Sequence, residues 1–274
     1  MTEIRNDTPR SRSGLAAMEV ATRAIREAGR TVMENFQREK TVRVKGRGNI
    51  VTSVDYMVES GLAEVLRREF PGFGILSEES VQEKGLGEYT WITDPLDGTR
   101  NYASGIPHFC TTLALVRGQD VLLGLTYDPL RDEMFHAEKG GGAYLNGAPI
   151  RVSPQRTVQD SILGMDMGYN DGKAREALEM VTALWPGMQS LRIMGSAALG
   201  LAYAAAGRVD IYFHHHLYPW DIASGILQIR EAGGTVTDQT GQPAAWGSRS
   251  LVAACHAVHD DFMRRTVGHP WRAP

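Results

Sequence analysis

Residues 91–102, WITDPLDGTRNY, restrict this chain most: an apolar strand runs into Asp94, a proline turn follows, and a second carboxylate, Asp97, precedes Gly98 and Thr99. Carboxylates crowded into one pocket repel each other and hold protons at neutral pH unless a cation balances them. Ligands that are all oxygen select a hard metal, and Mg²⁺ is the first candidate. Pro95 stiffens the turn, while Gly98 lets backbone N–H groups approach an anion. The same letters also make a good turn with no metal, because Asp, Pro and Gly each favour turns.

Four further acids bear on that choice. Glu78 and Glu79 close the apolar run of GILSEES, where a solvated strand edge is the alternative reading. Asp221 opens the amphipathic segment PWDIASGILQIREAGG, where it also suits a helix N-terminus. Asp55 follows Thr52 in a T-x-x-D capping pattern.

Apolar residues at Leu15, Met18, Ala21, Ile25, Ala28, Val32 and Phe36 predict a helix, with Ser13 as its cap. KTVRVKGRGNIV predicts a strand or hairpin, followed by a helix from about Thr52 to PGFG. From Ile75 to Val152 the chain reads as a largely antiparallel meander. The glycines at 140–142 form a turn in it rather than a phosphate loop, since no G-K-[ST] follows. After Ser161 strands and helices alternate: SILGMDM, a helix over 173–184, SLRIM, a helix over 196–206, VDIYF, and a helix over 220–232. The expected class is α/β: an α+β half with an antiparallel sheet over 14–153, and an α/β half over 154–274 that completes a shared cleft. Residues 1–13 read as a flexible leader.

With 274 residues, 42% hydrophobic and 22% charged, the chain can bury a substantial core. A net charge of -3 and no long basic block argue against nucleic acid polymers, and no apolar run is long enough to span a bilayer. The polar N-terminus lacks a secretory core, so a cytoplasmic protein with a small-molecule partner is expected. Cys110 and Cys255, in apolar runs, are expected to be buried thiols rather than a disulfide.

Together GILSEES, WITDPLDGTRNY, GSAA and PWDIASGILQIREAGG resemble the inositol monophosphatase family in order and spacing, from about Lys45 to Gly234. The resemblance implies a layered αβαβα sandwich of the sugar phosphatase type and hydrolysis of a small phosphate monoester by metal-activated water. It implies two or three Mg²⁺ ions. Glu78, Asp94 and the Leu96 carbonyl would hold the first, and Asp94, Asp97 and Asp221 the second. Thr99 paired with Asp55 would orient the attacking water with Glu78, and Glu79 matches the family's second glutamate. The Gly98 and Thr99 backbone groups would cradle the phosphate, Gly195, Ser196 and Ala197 would line the substrate alcohol, and Asp97 and Asp221 are expected to contact substrate as well. A homodimer and lithium inhibition are implied in the same way.

One position departs from that pattern. Seven residues before the W-D aspartate, where inositol-phosphate relatives carry a glutamate that contacts substrate hydroxyls, stands His214, the first of three consecutive histidines. Histidine offers no pair of acceptor oxygens. Fructose 1,6-bisphosphate, histidinol phosphate and 3′-phosphoadenosine nucleotides therefore stand beside inositol 1-phosphate as substrates, and a catalytically silent regulatory homologue is the reading from another class. Zinc at His214, His215 and His216 is disfavoured because neighbours on a strand point to opposite faces. Tyr169 and Asn170 fall near a substrate-lining stretch, and Arg100 and Arg192 read as solvated charges.

Overall fold

The stripe predicted near the N-terminus forms helix α1 (Ala17–Phe36), with Val20, Ala21, Ile25, Val32 and Phe36 buried. The computed structural model describes residues 8–39, 41–46, 49–80 and 87–274. The expected Ser13 cap is not formed. Its hydroxyl instead donates to Glu69 Oε2 at 2.6 Å, and Ala16 precedes the helix without a side-chain cap. The described part of the leader, 8–13, is tied down. Thr8 donates to Glu138, and the Arg12 N–H bonds the Glu69 carbonyl at 2.7 Å.

An antiparallel hairpin of β1 (Val42–Gly46) and β2 (Asn49–Thr52) leads into α2 (Ser53–Glu69). The T-x-x-D pattern caps α2: the Val54 N–H reaches the Thr52 hydroxyl, and the Thr52 N–H reaches Asp55 Oδ2 at 2.9 Å. A seven-stranded sheet then runs in sequence order through β3 (Gly74–Ser77), β4 (Tyr89–Asp97), β5 (Cys110–Arg117), β6 (Asp120–Asp128), β7 (Glu133–Glu138), β8 (Gly142–Leu145) and β9 (Ala148–Pro149). The short helix α3 (Thr99–Ala103) follows β4. Neighbours are antiparallel except β3 and β4, and the glycine run turns β7 into β8.

The second part alternates as read: β10 (Ile162–Met165), α4 (Asp171–Leu184), β11 (Ser190–Ile193), α5 (Ala197–Ala205), β12 (Ile211–His215) and α6 (Pro219–Glu231). It continues through β13 (Thr235–Thr237), β14 (Ser250–Ala254) and α7 (His256–Arg265). The five-stranded sheet has the order β11-β10-β12-β14-β13, with β14 antiparallel to both neighbours. It is therefore mixed.

Helices α1 and α2 cover one face of the larger sheet, and α5 and α6 lie between the two sheets. The outer face of the smaller sheet packs against α4 and α7. This is the αβαβα layering that the resemblance implies. Alternation along β12 divides its side chains: Ile211 and Phe213 join the outer core, whereas Tyr212 joins the core around α5 and α6. Helix α6 is buried from Trp220 to Ile229 except at Asp221, and each large apolar side chain there contributes about 1.5–3 kcal/mol. Its approach is so close that a Cβ at Gly124 of β6 would lie 2.7 Å from the Ser224 carbonyl. Of the two free cysteines Cys110 is buried and Cys255 only partly so.

Candidate metal centre and substrate cavity

The site begins where β4 leaves its ladder. The Asp94 N–H donates to the Thr112 hydroxyl at 3.0 Å, and that hydroxyl donates to the Trp220 carbonyl at 3.0 Å. One threonine on β5 thus spaces Asp94 from the first turn of α6. Pairing slips between Asp94 and Asp97, across Pro95, which has no N–H to offer. Asp94 Oδ1 takes the Leu96 N–H at 2.9 Å. Asp97 Oδ2 takes the Ser196 hydroxyl and the Ala198 N–H at the start of α5, and Asp221 Oδ2 takes the Tyr218 N–H at 2.7 Å. Each carboxylate is aimed through one oxygen and keeps the other.

One ligand atom from each of Asp94, Asp97 and Asp221 falls within 4.8 Å of the others. Glu78 lines the same cavity, of about 440 Å³, but stands apart from this trio. Lys45 holds it at 3.2 Å and holds Glu79 at 2.6 Å, while the buried Glu79 Oε2 has no partner among the described residues. Burial, then the mutual repulsion of Glu78, Asp97 and Asp221, pushes Asp94 well above the carboxylate range. Asp221 rises for the same reasons. Glu78 rises to about 7, mainly by burial and against the pull of Lys45, and Asp97 to about 6 despite its Ser196 and Ala198 bonds. So much unbalanced acid, with oxygens left over and no nitrogen or sulfur among them, fits a hard divalent cation.

Thr99 and Asp55 meet as the resemblance implies. The Thr99 hydroxyl lies 2.8 Å from the Leu96 carbonyl and 3.2 Å from Asp55 Oδ1, so one proton faces two acceptors. Gly98 is left-handed (φ 89°), and a Cβ there would meet the His108 carbonyl at 2.9 Å, so this turn requires glycine. Gly98, Thr99, Leu96, Gly195, Ser196, Ala197 and His214 all line the cavity.

At the cavity's other side the polar groups are matched. Asp166 takes the Met194 and Gly195 N–H groups on Oδ1 and the Tyr212 hydroxyl on Oδ2, at 2.5–2.9 Å. His214 Nδ1 takes the His215 N–H at 2.7 Å, and burial lowers His214 to about 4. His216 lines the cavity in a left-handed conformation (φ 57°), unusual for a residue with a Cβ. Among the described residues the only grouping of metal-ligating side chains is the aspartate trio, so the three histidines form no shared site. Tyr169 lines the cavity, whereas Asn170 caps α4 through the Lys173 N–H. Arg100 lines the rim, and Arg192 turns back to Ser190 and the Leu191 carbonyl.

Reading the sequence overlooks Thr112, Asp166 and Lys45. Asp166 ends an apolar strand just as Asp94 does, and Thr112 is a polar residue inside HFCTTLALV; both signals are present in the letters. Lys45 has none.

The model of the inositol monophosphatase family matches residues 16–269. A Haemophilus influenzae protein named Nus factor SuhB is 37% identical over 252 residues, covering 90% of this chain and 94% of its own length. A Thermotoga maritima fructose-1,6-bisphosphatase/inositol-1-monophosphatase is 36% identical over 250 residues, with 90% and 94% covered. The crystal structure of the Bartonella henselae extragenic suppressor protein suhB superposes with a TM-score of 0.87 at 34% identity, covering 92% of this chain and 98% of that one. With its carboxylates, turn and layers placed as described, the chain belongs to the inositol monophosphatase family.

Proposed function

We propose that this chain is a Mg²⁺-dependent phosphatase of a small phosphate monoester, inositol 1-phosphate or a similar polyol phosphate, acting as a homodimer in the cytoplasm. The supporting observation is the aspartate trio within 4.8 Å, each member oriented through one oxygen and open at the other. Glu78, Asp94 and the Leu96 carbonyl would hold one ion, and Asp94, Asp97 and Asp221 a second. When bound, such ions neutralise phosphate charge and acidify a water.

The chain's own groups do the rest. The Thr99 proton is taken by the Leu96 carbonyl or Asp55, which leaves the Thr99 oxygen lone pairs to accept a water's proton. Lys45 balances part of the charge of Glu78 and Glu79. Asp166 fixes Gly195, and Asp97 fixes Ser196 and Ala198, so the segment bounding the leaving alcohol is held from two sides. Some relatives carry the name Nus factor SuhB. Retention of all four acids supports a catalytic chain over a silent one.

A panel of inositol 1-phosphate, fructose 1,6-bisphosphate, histidinol phosphate and 3′-phosphoadenosine, assayed for phosphate release with and without Mg²⁺, tests this reading. Release that needs Mg²⁺ and disappears in Asp94→Asn is expected. Metal-independent release, or full activity in that variant, overturns it.

A further inference from the structure

We propose that His215 is a positioning residue for the substrate cavity, clamping the 166–169 loop to Trp271 so that Tyr169 stands over the carboxylates. The proposal rests on the reading of the cavity as the substrate site. His215 lies on the outer face of β12, away from the cavity, with its residue 1% exposed. The Trp271 Nε1–H can only donate, and it points at His215 Nδ1 from 3.2 Å. Nδ1 is therefore an acceptor, and the ring proton resides on Nε2, 3.1 Å from the Met167 carbonyl that takes it. Both ring nitrogens are used, in one tautomer, with nothing left for a metal or a substrate. Burial, chiefly, lowers this histidine to about 4, so the ring is neutral as both bonds require.

The loop is short and held tightly. Asp166 is bonded on both oxygens, and Gly168 is left-handed (φ 58°), where a Cβ would lie 3.2 Å from His214 Cε1 and 3.3 Å from the His215 carbonyl. The backbone is pressed onto the histidine pair. Tyr169 comes next, lining the cavity, its phenol raised by burial and by the charges of Glu78, Asp97, Asp221 and Asp94. Trp271 is itself packed on its rings: it is fully buried and lies edge-on against Phe213 at 4.9 Å. The neighbouring Ala273 carbonyl takes Lys173 Nζ at 2.8 Å, from the start of α4 just beyond the loop. The loop is thus anchored on both sides by one segment, Trp271 and Ala273, that does not line the cavity.

Displacing a pocket wall by a fraction of an ångström weakens substrate placement before it alters metal-centred chemistry. His215→Leu is expected to raise KM on the order of tenfold, with kcat and the Mg²⁺ activation constant within about twofold of wild type. Trp271→Phe, which keeps an aromatic ring but removes the donor, moves KM the same way by less. His215→Gln, an acceptor and a donor on one side chain, restores most of the loss. In a Tyr169→Ala background the His215→Leu effect disappears. An unchanged KM in His215→Leu overturns the proposal, as does a fall in kcat and Mg²⁺ response without a KM change. If His215→Leu does not fold, Trp271→Phe decides on the same criterion. Long-range ¹H–¹⁵N NMR of the His215 ring is independent of turnover: a proton on Nδ1 overturns the clamp, and one on Nε2 supports it even if no ester in the panel is hydrolysed.

Discussion

The carboxylate side of the cavity and the histidine side are both buried and polar, yet they differ in what is left unpaired. Asp94, Asp97 and Asp221 each keep an oxygen and share unbalanced charge. Asp166, His215 and Tyr212 have their hydrogen-bonding groups matched within the protein. A buried group with spare capacity is strained until something arrives, whereas a satisfied one only holds shape. The first side is built for a ligand and the second for a contour.

Removing one acid should separate these roles most sharply. Asp221→Asn is expected to lower Mg²⁺-dependent turnover by at least about 10²–10³-fold. It should also raise the melting temperature of the metal-free protein at pH 8, because one repelling charge is gone. A drop in that temperature would show that the carboxylate stabilises the fold rather than awaiting a cation.

The two sides should also answer pH in opposite directions. Glu78 at about 7 and Asp97 at about 6 bind protons more tightly folded than unfolded, where carboxylates titrate near about 4. Stability of the metal-free protein from these groups therefore falls as pH rises from about 4 to 7. His214 and His215, at about 4 folded and about 6.5 unfolded, contribute stability that is complete above about 6.5 and is lost as pH falls toward 4. Saturating Mg²⁺ should thus raise the melting temperature more at pH 8 than at pH 5. Equal gains at both would break the contrast.

Thr112→Val tests the spacing between Asp94 and α6. It leaves the Asp94 N–H and Trp220 carbonyl without their shared partner, at about 1–3 kcal/mol of stability. Mg²⁺ affinity, measured by calorimetry, should fall by about 10–100-fold. The smallest effect is expected on the histidine side: His216→Gly relieves a left-handed Cβ and should stabilise the fold by about 1 kcal/mol, read as a higher denaturant midpoint.

This contrast also explains what the sequence discloses. The acids announce themselves, since Asp94, Asp97 and Asp221 end an apolar run or open an amphipathic one, and α1, α2 and the alternation through α6 follow period alone. Ser13 misleads because a cap depends on φ and ψ at one residue, and Glu69, 56 positions away, takes its hydroxyl. Thr112, Lys45 and the His215–Trp271 pair act across separations of 18 to 108 residues, so no local window contains both partners. Three adjacent histidines suggest a metal in one dimension. In three dimensions His215 packs outward at the end of the strand, while His214 within it and His216 just past it line the cavity.

Helix α6 carries Asp221 while lying sealed between two sheets, with Gly124 allowing the Ser224 backbone to approach and Gly225 allowing Leu201. A helix with no solvent side has nowhere to yield, so a single added methyl at Gly124 would be transmitted along the rod to Asp221 at its end. Evolutionary drift in substrate choice must accordingly use the rim, where His216 and Tyr169, both outside the strands, can change without moving a sheet. The clustered acids inherit the mutational intolerance of the core they grow from.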